Sequence, residues 1–114
     1  MFVKLKIGAD YSIGSALSYD TDTQKWALAS NSSRAFGLLE ESPTQDDDGN
    51  WWGIVRFGGT AAALTDRAIP VEGGFLDIEN GCIHVSSTNQ HCGIVAPAID
   101  SSTRENKLVL VFIG

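Results

Sequence analysis

Cysteine is scarce: Cys82 and Cys92 are the only two in 114 residues. Two cysteines cannot build a disulfide scaffold, and a separation of ten residues fits neither a CxxC redox pair nor a zinc half-site. They read as two small buried hydrophobes, with a bridge between neighbouring strands as the other option. Basic residues are also few, 8 Lys plus Arg against 14 Asp plus Glu, for a net charge of −6. Neutralising phosphates needs clustered Lys and Arg, so nucleic acid is excluded as a partner. No apolar run approaches the roughly 18–20 residues of a membrane-spanning helix. The opening segment MFVKLKIGAD has no long apolar core followed by a small-residue cleavage site. Cytosolic synthesis without export is therefore the expectation.

Helical periodicity is missing too. The one short candidate, Thr60–Leu64, lies between Gly58-Gly59 and Pro70 and reads equally well as a strand. What remains is alternation and short β-branched or aromatic runs bounded by turn residues, the pattern of strands. Phe2–Ile7 alternates with Val3, Leu5 and Ile7 on one face. Ala16–Tyr19 and Lys25–Ala29 flank the polar turn DTDTQ. Ala35–Glu40, Trp51–Phe57 and Thr60–Thr65 follow, with 41–50 as a polar loop. Gly74–Ile78 and Cys82–Val85 flank Asn80-Gly81, whose residues both tolerate the positive φ of a type I′ hairpin. His91–Ala96 and Lys107–Ile113 end the series. About nine short strands at this spacing imply an all-β domain, a small β-sandwich or jelly-roll-like barrel.

The two halves of the chain resemble each other. Gly37 to Gly58 spans 21 residues, as does Gly93 to Gly114, and each interval runs from a Gly-apolar strand through a polar loop to an apolar strand. Upstream, Ala16–Asp20 matches Phe75–Glu79, and Trp26–Leu28 matches Ile83–Val85. The displacement runs 59, then 57, then 56 residues. This suggests one domain made of two similar four-stranded units, 14–58 and 73–114, with 1–13 as an N-terminal strand or arm. Each unit would bury one apolar face against the other.

The chemistry-bearing residues form no site. No serine sits in a G-x-S-x-G elbow. His91 and Cys92 are adjacent, so on a strand they point to opposite faces and cannot act as base and nucleophile. His84 and His91 have no third metal ligand at a suggestive spacing, and they read as ordinary surface or half-buried histidines. Asp46-Asp47-Asp48-Gly49-Asn50 invites a calcium reading. Counted from Asp46, however, position six is Trp51 and position twelve is Phe57, not the glycine and glutamate an EF-hand needs. The glycine pairs lack the lysine and strand-to-helix setting of a phosphate loop. Asn31-Ser32-Ser33 is a glycosylation sequon with no secretory signal to give it meaning. No catalytic, cofactor or metal residues are expected. The strongest hint is of an interaction surface. Trp51 and Trp52 face opposite ways on a strand, one toward the core and the other outward, and tryptophan is enriched in binding hot spots.

In order, the chain carries Gly37-Leu38-Leu39-Glu40-Glu41, Val55-Arg56-Phe57-Gly58, Ala68–Leu76 (AIPVEGGFL), Asn80-Gly81, Gly93–Ala98 (GIVAPA) and Val109–Gly114 (VLVFIG). This series resembles the capsid cement, or head decoration, proteins of tailed bacteriophages over 35–114. Pro97 and the Trp51-Trp52 pair with its acidic loop depart from it. The resemblance implies a non-enzymatic virion protein on the outer capsid surface. Such a protein is a homo-oligomer, often a trimer, that clamps neighbouring major capsid subunits. On that reading Phe2 and Leu5 of the first strand, Val109 and Val111 of the last, and Trp51 or Trp52 are the interface residues. A carbohydrate-binding β-sandwich around 46–52, or a small tail or adaptor component of a virion, are the alternatives.

Overall fold

The computed structural model describes residues 2–30, 37–65, 74–86, 94–96 and 107–113, and these hold eleven strands and no helix. They are β1 (Phe2–Ile7), β2 (Ala16–Asp20), β3 (Lys25–Leu28), β4 (Gly37–Leu39), β5 (Thr44–Gln45), β6 (Trp51–Arg56), β7 (Gly59–Thr65), β8 (Gly74–Glu79), β9 (Cys82–Ser86), β10 (Ile94–Ala96) and β11 (Lys107–Ile113). The all-β reading stands. β5 is an addition: the polar stretch 41–50 contains a two-residue strand on the edge of β6.

The strands form two sheets. The first has the order β1-β3-β2-β4-β6-β5, and a further β1–β6 pairing closes five of its six strands into a ring. The second is a closed barrel, β10-β11-β7-β9-β8. The two rings follow one pairing scheme, with β1, β2, β3, β4 and β6 matched by β7, β8, β9, β10 and β11. Ile7 pairs with both Trp26 and Trp51, and Thr65 holds that place in the second ring, pairing with Ile83 and Lys107. Tyr19 faces Trp26 as Ile78 faces Ile83, and Ala16 faces Leu38 as Phe75 faces Ile94. One register differs. Leu39 faces Val55, whereas Val95 faces Ile113 rather than Val111. That slip is an even number of residues, so inward residues stay inward.

Each ring therefore has five strands, not four. The fifth is the opening strand, β1 or β7, which the sequence comparison left outside the repeat. FVKLKI and GTAAALT have little in common, because the ring asks of them only extended backbone and alternate small or apolar residues facing inward.

The core of the first ring is Ile7, Leu17, Leu39 and Val55, with Leu5, Tyr11, Trp26, Trp51 and Phe57 packed around it. Burying each large aliphatic side chain contributes roughly 1.5–3 kcal/mol. In the second ring Ala63, Thr65, Ile78 and Ile83 are buried. Among the described residues, backbone hydrogen bonds join the two rings. The Asn80-Gly81 turn, with φ of 50° and 79°, has the hairpin geometry its sequence predicts. It reaches into the base of the first ring, where Gly81 N–H donates to Ala29 O at 2.9 Å and Ala16 N–H donates to Gly81 O at 2.7 Å. Leu64 N–H donates to Gly14 O at 2.8 Å nearby. The molecule measures 44 × 24 × 24 Å, the long axis expected of two small rings in tandem.

Candidate partner-binding surface

The pairing of β1 with β6 sorts the side chains of both strands. Val3, Leu5 and Ile7 lie opposite Val55, Gly53 and Trp51 on the core side, while Phe2, Lys4 and Lys6 lie opposite Arg56, Ile54 and Trp52 on the outer side. Gly53 is what lets the core close under Leu39 and Ile7: a Cβ there would stand 2.6 Å from Leu39 Cδ1 and 3.2 Å from Ile7 Cδ1.

The outer side alternates cations with apolar groups. Phe2 is 61% exposed, with the Arg56 guanidinium 5.4 Å from its ring centre. Arg56 is also ion-paired through Nε to Glu40, which lies at the end of β4. The Lys4 ammonium sits 6.0 Å over the Trp52 ring. Cation–aromatic pairs at exposed sites contribute about 0.5–1 kcal/mol each. This side holds three of the chain's eight Lys and Arg residues, on a molecule whose net charge is −6.

The acidic loop beside it is a built turn. Asp46 accepts hydrogen bonds from Trp52 Nε1 at 2.9 Å, from Asn50 N–H at 2.9 Å and from Asp48 N–H at 3.0 Å. The Trp52 indole, then the Asn50 amide, hold the Asp46 carboxyl below the ordinary carboxylate range. Its oxygens are thereby committed to protein donors. Among the described residues, no group of three or more His, Cys, Asp or Glu side chains is placed to hold a metal ion.

A second row of aromatics runs through the ring where β1 and β3 meet. Tyr19 and Trp26 pack edge to face at 5.9 Å, and Trp26 and Phe57 do so at 5.5 Å. Tyr19 is half exposed. Burial, and then the Asp20 charge, raise the pKa of Tyr11, which also packs on this core.

The residues singled out from sequence are divided by this geometry. Phe2 and Trp52 share the outer side of β1 and β6. Leu5 and Trp51 are half-buried against the core of the first ring, so Trp51 is the core-facing tryptophan and Trp52 the outward one. Val109 and Val111 pair with Ala63 and Ala61 in the second ring, away from that surface in the pairing scheme. Their side chains lie outside the described residues. The sequence reading missed Lys4, Lys6 and Arg56, although the alternation of FVKLKI already placed both lysines on the face opposite Val3, Leu5 and Ile7.

His84 departs from the surface or half-buried position expected of it. It is 5% exposed on β9, directly opposite Asp77 on β8, with Nε2 3.1 Å from Asp77 Oδ2. The equivalent pair in the first ring is Ser18 and Ala27, so this ionisable pair is particular to the second ring. Cys82 is half-buried at the start of β9. Cys92, His91, the Asn31 sequon, and the segments 66–73 and 97–106 lie outside the described residues. No family model matches the chain, and neither a curated protein nor a solved structure matches it at a significant level.

Proposed function

We propose that this chain is a structural virion protein that binds the outer surface of a phage capsid as a homo-oligomer and cements neighbouring major capsid subunits. The observation that carries the reading is the outer side of β1 and β6, where exposed Phe2 and half-buried Trp52 stand among Lys4, Lys6 and Arg56. Aromatic and arginine side chains are the usual anchors of protein interfaces. The closed strand pairing of the first ring sets these anchors side by side. The order of glycine-ended strands that resembles decoration proteins supports a major capsid protein as the partner. In a symmetric shell many copies act together, so a modest contact per copy sums to firm attachment.

The test is direct. Purified particles of the virus that encodes the chain should contain it, and recombinant protein should co-sediment with stripped capsids and raise their resistance to heat. Particles that lack the chain and shells that ignore the added protein would overturn the reading.

A carbohydrate-binding module is the second reading, favoured by one observation, the contact of Trp52 with Asp46. Its weakness is that Lys4 covers the Trp52 ring and Asp46 is occupied by the indole, so neither group is bare for a sugar. Binding of neutral glycans that is lost in Trp52→Ala would favour this reading over the first.

A further inference from the structure

The first ring is closed on one side by very little. β1 is paired with β6 from Phe2 to Ile7, but its opposite edge meets β3 at one position only, Ile7 with Trp26. Strand lengths explain this. The two strands run parallel, and the chain preceding Trp26 turns back toward β2 at 21–24, so β3 begins beside the last residues of β1 and does not reach its earlier part. Among the described residues no strand pairs with the Phe2–Lys6 edge. Exposure agrees: Phe2 is 61% exposed and Val3, although on the core side, is 39% exposed, while its partner Val55 is fully buried. An open edge of this kind presents unpaired N–H and C=O groups to an incoming strand.

Charge decides which strand fits. A second copy does not. The two-fold antiparallel register that uses the whole edge sets Lys4 against the Lys4 of the copy and Phe2 against its Lys6, and like charges placed opposite each other are destabilising. We propose that this edge takes an extended segment of a partner protein, with carboxylates at alternate positions facing Lys4 and Lys6. The residues between them are apolar and cover Val3 and Leu5. The proposal rests on the reading that the chain docks onto a protein assembly, and it names the chemistry of the docked segment.

The experiment uses the full chain and three soluble peptides: alternating valine and glutamate, alternating valine and lysine, and the first with a central proline. The glutamate peptide should bind about tenfold more tightly than the lysine peptide, from two opposite-charge pairs. It should slow amide hydrogen exchange within Phe2–Lys6, and the proline version should do neither. Lys4→Glu with Lys6→Glu, both on the outer side, should reverse the preference. Equal affinity for the two charged peptides, or no slowing at β1, would overturn the proposal. A capsid arm separates it from the cement reading. If wild type and the double variant co-sediment with shells equally, the edge is wrong and the cement role stands. If shells are ignored while the glutamate peptide binds at β1, the cement role is wrong and the edge stands.

Discussion

The carbonyl of Gly81 accepts a 2.7 Å hydrogen bond from the amide of Ala16, tying the turn of the second ring to the base of the first. The amide of the same glycine is bonded to Ala29, and Ala29 N–H is in turn bonded to Ala16 O. Two short backbone bonds therefore join this turn to the first ring, alongside the bond from Leu64 N–H to Gly14 O. They do so only because the turn brings its backbone close and carries no side chain there.

Gly81→Ala tests this junction. Gly81 has φ +79°, and a Cβ there would stand 2.6 Å from Leu28 Cδ2 and 3.3 Å from Ala16 O. The backbone strain is about 1–2 kcal/mol. Leu28 can swing away, but the Ala16 carbonyl cannot without losing its place in the junction. The expected outcome is a loss of about 2 kcal/mol in urea unfolding, recovered only in part by Leu28→Ala.

Gly37→Ala tests the closure of the first ring. Its Cβ would run into Val55 Cγ1, and would lie 2.8 Å from Phe57 Cε1 and 3.0 Å from Arg56 O. Val55 is fully buried, so it has no free direction in which to move. Overpacking of this kind costs about 1–3 kcal/mol. In a double-mutant cycle with Val55→Ala the combined loss should be smaller than the sum of the single losses, because the methyl group in the way is gone.

Asp77→Leu should destabilise the second ring by about 1–3 kcal/mol, since it strips a buried histidine of its carboxylate partner. Replacing both residues, as Asp77→Leu with His84→Phe, should recover much of that loss. Chemical denaturation of the three variants checks this, and a loss in the double variant equal to the sum would show that the pair is not coupled.

Acid should loosen the 46–52 turn only below the ordinary carboxylate range. The Asp46 carboxyl is held below its ordinary value by the Trp52 indole and the Asn50 amide. A group with a depressed folded-state pKa contributes stability that is complete above its unfolded pKa and is lost as pH falls through the depressed value. The indole N–H resonance of Trp52 should therefore hold steady through neutral pH and shift only below the ordinary carboxylate range. In Asp46→Asn that titration should disappear.

The sequence determined most of the local structure, for reasons that are local. Alternation in FVKLKI, the run WWGIVR, and the positive-φ pair Asn80-Gly81 each specify extended chain or a tight turn without help from distant residues. The matched spacing of the two halves was legible for the same reason: strands that must offer a Gly-apolar edge and an inward apolar row keep similar spacing. The opening strand of each ring was not legible as part of the repeat, because its place is set by distant partners, 44 residues away for Ile7 and Trp51 and 42 for Thr65 and Lys107. Trp51 and Trp52 could be divided between two faces from sequence, but which of them faced the core depended on the β1–β6 register.

The candidate interaction surface lies further from the sequence. The lysines of β1 and Arg56 are ordinary charges until antiparallel pairing sets them side by side with Phe2 and Trp52. The acidic stretch 46–48 reads as a solvated loop until Asp46 is seen to fasten the Trp52 indole. Composition and periodicity fix which residues prefer to be extended, buried or turned, since those preferences belong to each residue and its neighbours. Which edge stays open and which charges share a face is decided only by long-range pairing, where short β3 meets β1 at Ile7 and does not reach back to its start.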